Sequence, residues 1–300
     1  MKFLSQRKSA AQIIALMAMM SAINIIVSVI AAFSVIASVL LIIILPLTST
    51  IVVLACPEKY FPIYALATIG LSVVATIWNL DVTLFYVVPS IVSGFVFGFC
   101  IKRSLYFGWS IVISALLQMG ISFAIIPLIN VLFEINFIHD LLVIFKIYDA
   151  IPGEIFICCS FYVISLIQTF LSYFVVKNEI EKLKPMKTES NGIKYFSFAG
   201  ICSCIVLIPV SFLSIGAAYT LELVGITIAG FTIYEFFKSR SNRRLIISAA
   251  TLLINIFVVA IFYNMIPAYY GLLVFALTPL IINLLCFCYF LLKKQHDVIK

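Results

Sequence analysis

Six acidic side chains set the chemical possibilities of this chain. Asp81, Glu134, Asp140 and Asp149 fall in short polar stretches between long apolar runs, while Glu154 and Glu222 stand a little way inside theirs. A carboxylate within an apolar run is costly, and where it faces a cavity it marks a pathway or a binding site suited to a cationic substrate or a proton-coupled step. The plainer reading is that connecting loops need solvating groups. Glu222 is the sharpest of the six, because "AAYTLELVGITIAG" holds no other charge. Trp78, Asn79 and Asp81 in "WNLD" add an aromatic ring and an amide; such a tryptophan is first an interfacial anchor and second a surface on which a ligand stacks. Trp78, Asn79, Asp81, Glu154 and Glu222 are therefore the candidate ligand-binding residues.

Enzyme chemistry has little to work with. The two histidines, His139 and His296, cannot build a metal cluster, and no "GxSxG", "HExxH" or phosphate-binding loop occurs. The expectation is a protein that is not an enzyme, with no catalytic residue, no metal and no cofactor; any ATP-driven step would need partner subunits. The eight cysteines lie in or beside apolar runs without zinc-ribbon spacing and read as small apolar filling. Asn24, Gln118, Gln168, Asn255 and Asn283 lie deeper and are expected to hydrogen-bond between helices.

The elements that must position these groups are membrane helices. Residues are 64% hydrophobic and 10% charged, against about 45–50% and about 25% in soluble domains. The apolar runs reach about 20 residues, the length that spans a hydrocarbon core as a helix. The formal charge of +7 is spread over short clusters between apolar runs rather than on one polar domain, so lipid bilayer and not nucleic acid is the expected partner. An N-terminal signal would have an apolar region of about 7–15 residues, and this one runs well past that, so the first segment is expected to be retained.

Basic clusters at Lys2/Arg7/Lys8, Lys102/Arg103, Lys177 to Lys194, Lys238 to Arg244 and Lys293/Lys294 fix the topology if all are cytoplasmic, since each interval must then hold an even number of spans. The spacing predicts an all-α, polytopic transmembrane bundle of about ten spans, near 10–31, 34–55, 60–78, 83–101, 104–133, 150–177, 195–213, 217–237, 245–264 and 268–292. Both termini are then cytoplasmic, and Lys146 is the one lysine or arginine outside. "EINFIHDLLVIFKIYDAIP" is expected to hold a short helix along the outer interface, with Ile138, Leu141, Leu142 and Phe145 on one face. The polar stretch 178–194 divides a six-helix unit, 1–177, from a four-helix unit, 195–300.

Small residues recur at helical spacing. Ala11, Ala15, Ala18 and Ala22 form a stripe on the first helix, and Ser90, Gly94 and Gly98 form another on the fourth; such stripes let backbones approach closely in lipid. Each either packs within the bundle, the plainer reading, or meets a partner. Six helices with both ends inside and an alanine stripe on the first resemble the substrate-binding (S) components of energy-coupling-factor vitamin transporters. The longer pattern, "ILPLTSTIVVLACPEKYFPIYALATIGLSVVATIW", "PSIVSGFVFGFCIKRSLYFGWSIVISALL", the basic linker and the four-helix tail, resembles the YybS-like family of bacterial membrane proteins. The resemblance implies that the alanine stripe is a partner-docking face for a membrane coupling subunit with ATPases, and that a small-molecule ligand binds near the outer face. The competing expectation is a structural or assembly protein of the bacterial membrane without such a ligand.

Overall fold

In a computed structural model, which describes residues 9–183, 192–238, 242–262 and 268–298, all regular structure among the described residues is helical. In chain order the helices are α1 (Ala10–Ala32), α2 (Val35–Ala55), α3 (Phe61–Ala75), the single turn α4 (Leu80–Val82), α5 (Val88–Lys102), α6 (Phe107–Phe133), α7 (Phe137–Ile144), α8 (Ala150–Leu183), α9 (Ile193–Ser211), α10 (Ile215–Lys238), α11 (Asn242–Phe262) and α12 (Ala268–Val298). A π-helical stretch, Thr83–Val87, joins α4 to α5.

Six segments among the described residues are long and apolar enough to cross a membrane: Ala10–Ala32, Ile77–Lys102, Phe107–Phe133, Ala150–Lys182, Ile193–Ser211 and Ile215–Lys238. The distribution of side chains agrees with lipid surroundings. Large aliphatic residues such as Ile14, Leu66, Val74, Ile164 and Ile167 are exposed, while Asn24, Ser28, Thr68, Ser72 and Gln118 are buried. Water would favour the reverse; in lipid, polar groups must find partners inside the bundle. The chain is a multi-pass helical membrane protein.

Local sequence explains the breaks. No proline or glycine separates α1 from α2, and the chain turns at Phe33 and Ser34, whose N–H groups bond back to Ile30 and Ala31 at 3.2 and 3.1 Å. "CPEKYFP" forms a 3₁₀ turn, Glu58–Tyr60, before Pro62 opens α3 near its first position, where its missing N–H costs nothing. At 15 residues α3 is about 22 Å long, short of a hydrocarbon core of about 30 Å. The helix α8, in contrast, has 34 residues and carries 178–183 of the expected polar linker as its last turns. Residues 184–191 of that linker, and the basic cluster at Lys2, Arg7 and Lys8, lie outside the described residues.

Two compact units emerge from the contacts, Met1–Leu141 with Phe161–Glu189, and Leu142–Ser160 with Ser190–Lys300. The first part of α8 therefore belongs with the second unit rather than with the first six helices.

In the first unit the small-residue stripe on α5 is an internal packing face. A Cβ on Gly94 would stand 2.5 Å from the Pro46 carbonyl oxygen, and one on Gly98 would stand 2.6 Å from Val53 Cβ, so α2 and α5 touch backbone to backbone there. Thr50 Oγ1 donates to the Gly94 carbonyl at 3.0 Å across this seam. Polar groups of α1, α2 and α3 form a second seam: Asn24 Nδ2 donates to Tyr64 Oη at 2.8 Å, Thr48 Oγ1 donates to Asn24 Oδ1 at 2.6 Å, and the Ser21 and Thr68 hydroxyls pair at 2.6 Å. Gln118 of α6 donates to Ser93 Oγ of α5 at 2.7 Å.

The core of the second unit is built on Cys204, Leu207, Ile215, Ala218, Leu272 and Ala276. Asn283 of α12 donates to the Gly225 carbonyl of α10 at 3.3 Å, and Asn255 of α11 donates to the Val274 carbonyl at 2.8 Å. The short helix α7 is present where the apolar face of 138–145 called for it, with Phe145 packed on Phe156 at 4.8 Å between ring centroids. All eight cysteines are free; four of them, Cys56, Cys100, Cys204 and Cys286, are buried.

Candidate functional site

A cleft of about 190 Å³ opens where α1 ends and the corner after α3 begins. It is lined by Ala31 to Ser34 on one side and by Asn79, Asp81, Val82 and Tyr86 on the other. Two local features shape it. The last carbonyls of a helix lack partners within the helix, and Asn79 supplies one by donating from Nδ2 to the Ala32 carbonyl at 3.1 Å. The wider π-helical turn, Thr83–Val87, follows immediately and carries Tyr86 on the cleft wall; such turns often occur at functional sites. Its first residue is tied to α3 through the Thr76 and Thr83 hydroxyls, 2.6 Å apart.

The electrostatics of the cleft are one-sided. Asp81 shares the cleft lining with the carbonyl end of α1, which carries a partial negative charge of its own. Among the described residues, no lysine, arginine or histidine lines the cleft. Its volume lies below the roughly 300–1,000 Å³ of drug-sized sites, so the arrangement suits a small ligand bearing a positive charge or several hydrogen-bond donors.

Of the five candidate ligand-binding residues, this cleft brings together Asn79 and Asp81. Trp78 stands outside the cleft lining, 60% exposed, with its ring centroid 5.9 Å from that of Phe33, an arrangement suited to anchoring at a membrane interface. Glu154 and Glu222 belong to the second unit. Glu154 Oε1 accepts hydrogen bonds from Ser214 Oγ at 2.5 Å and from the Gly216 backbone N–H at 3.2 Å, so it caps the first turn of α10. Glu222 is buried in α10, and its Oε2 has no hydrogen-bond partner among the described residues.

All four residues of the α1 stripe, Ala11, Ala15, Ala18 and Ala22, are exposed, and the helix packs inward through Ile13, Leu16, Met20, Asn24, Ser28 and Ala31 instead. Asn24 needs the interior for its hydrogen bond to Tyr64, and the alanines lie on the opposite side of α1, where no described residue of the first unit buries them. Sequence reasoning passed over Tyr86 and the α1 carbonyl end. Only the polar residues at the two helix ends hinted at their meeting.

No family model, curated protein or solved structure matches this chain.

Proposed function

We propose that the chain is a non-enzymatic subunit of a bacterial cytoplasmic membrane that binds a small cationic molecule at the α1 cleft and docks on a membrane partner through Ala11, Ala15, Ala18 and Ala22. The observation that carries the reading is the convergence of Asn79 and Asp81 with the carbonyl end of α1 on one cleft, lined by no basic side chain among the described residues. The exposed alanine stripe supports the docking half, because small residues facing outward leave a shallow track into which another helix fits. Resemblance to the S components and the YybS-like family supplies the partner class, a coupling subunit with ATPases.

The proposed topology has ten spans with both termini cytoplasmic. It is supported by contacts that join loops assigned to one side: Lys102 Nζ lies 3.1 Å from Glu58 Oε1 between two cytoplasmic turns, and the Asn79 and Glu154 hydrogen bonds each join two outer ends.

Native mass spectrometry of protein purified in mild detergent tests the ligand. Wild-type protein is expected to release a small cation on denaturation, and Asp81→Asn to retain at least about tenfold less of it, the scale set by losing one charge-assisted contact. Equal retention by both proteins, or none by either, would sink the reading.

A further inference from the structure

Glu222 is 3% exposed, and its Oε2 meets no hydrogen-bond partner among the described residues. The groups it acts on electrostatically are Cys159 of α8, Cys204 of α9 and Tyr219 of its own helix, two thiols and a phenol. No lysine, arginine or histidine among the described residues forms an ion pair with it. A negative carboxylate in such surroundings, inside a helix that crosses lipid, is strongly disfavoured unless something neutralises it.

The neighbourhood limits what that something is. Nearly one turn along α10, a Cβ on Gly225 would stand 3.0 Å from Cys204 Sγ and 3.1 Å from Ser203 Oγ, and the Gly225 carbonyl already accepts from Asn283 Nδ2. Packing this close leaves no space beside Gly225 for an organic molecule. On α12, Asn283 Oδ1 and Thr278 Oγ1 are also buried, with no hydrogen-bond partner among the described residues. One carboxylate oxygen, an amide oxygen and a hydroxyl, each without a hydrogen-bond partner among the described residues, thus lie on two helices of one unit that meet at Gly225. Oxygen atoms of these types bind protons and hard cations rather than anions or apolar ligands.

We propose that Glu222 is a monovalent-cation site within the membrane, its single negative charge balanced by a bound proton or sodium ion that exchanges with solution. The site is separate from the α1 cleft, and its success or failure does not depend on the ligand there.

Dicyclohexylcarbodiimide, an apolar reagent that adds to protonated carboxyl groups, tests this on the full chain in native membranes, with the adduct located by peptide mass mapping. Wild-type protein is expected to carry the adduct at Glu222, with a yield that falls by about tenfold per pH unit once the group titrates. At fixed pH and ionic strength, exchanging choline for sodium lowers the yield if sodium competes for the site and leaves it unchanged if the proton is the sole occupant. Glu222→Gln is expected to abolish the adduct and Asp81→Asn to leave it intact. Because mapping locates the adduct in the wild-type chain, the test stands even where Glu222→Gln fails to fold. Absence of adduct at Glu222, or a yield insensitive to both pH and sodium, overturns the proposal.

Discussion

Glu154 on α8 accepts a hydrogen bond from the backbone N–H of Gly216, 3.2 Å away in the first turn of α10 and 62 residues along the chain. The carboxylate also holds Ser214, whose Oγ in turn accepts from the Ala217 N–H at 3.1 Å. One acidic side chain therefore supports the start of a neighbouring helix, where N–H groups lack intrahelical partners and the helix dipole favours negative charge. Glu154→Ala is expected to lower stability by about 1 kcal/mol, and Ser214→Ala by a similar amount. The double variant should cost less than the two together, because both act on one cap. Thermal unfolding in detergent measures all three; full additivity would show that the two residues act independently.

Glycines divide into two groups with opposite expected responses. Gly94→Ala forces a methyl against the Pro46 backbone and is expected to destabilise by about 1–3 kcal/mol. Gly70, Gly120 and Gly230 have nothing within 4 Å of an added Cβ, so alanine there is expected to gain roughly 0.5–1 kcal/mol from helix propensity alone. Unfolding midpoints of the four single variants check the contrast, and a stabilised Gly94→Ala would refute the close approach of α2 and α5.

Tyr64 and Asn24 are both buried, and their hydrogen bond joins α3 to α1. Tyr64→Phe leaves the Asn24 amide one acceptor short and is expected to cost about 1–2 kcal/mol, near the upper end of polar contacts measured between membrane helices. A cycle with Asn24→Ala should give a coupling of roughly 0.5–1.5 kcal/mol. Zero coupling would mean that the two side chains do not meet.

The exposed stripe on α1 makes a prediction that separates fold from association. Replacing Ala15 and Ala18 together with leucine should leave the unfolding transition within about 0.5 kcal/mol of wild type, because neither side chain faces the interior. The same change should abolish co-purification of a membrane partner. Loss of folding would instead place the stripe inside the bundle.

The helical membrane character was legible in composition and in the spacing of basic clusters, because lipid demands about 20 apolar residues for each span whatever packs against them. The turn in "CPEKYFP" was legible from its two prolines and the short helix α7 from the apolar face of 138–145, but the break between α1 and α2 was not, because no proline or glycine marks Phe33 and Ser34. Roles of individual polar residues were not. Glu154 and Asp81 look alike in sequence, each an acid near a helix end, yet one is consumed in capping α10 and the other borders an open cleft. The alanines of α1 and the glycines of α5 carry the same signature, yet the first face outward and the second lie against α2. Spacing along one helix specifies which residues share a face. Only the positions of the other helices, set by buried hydrogen bonds and by backbone contact across the chain, decide what that face meets.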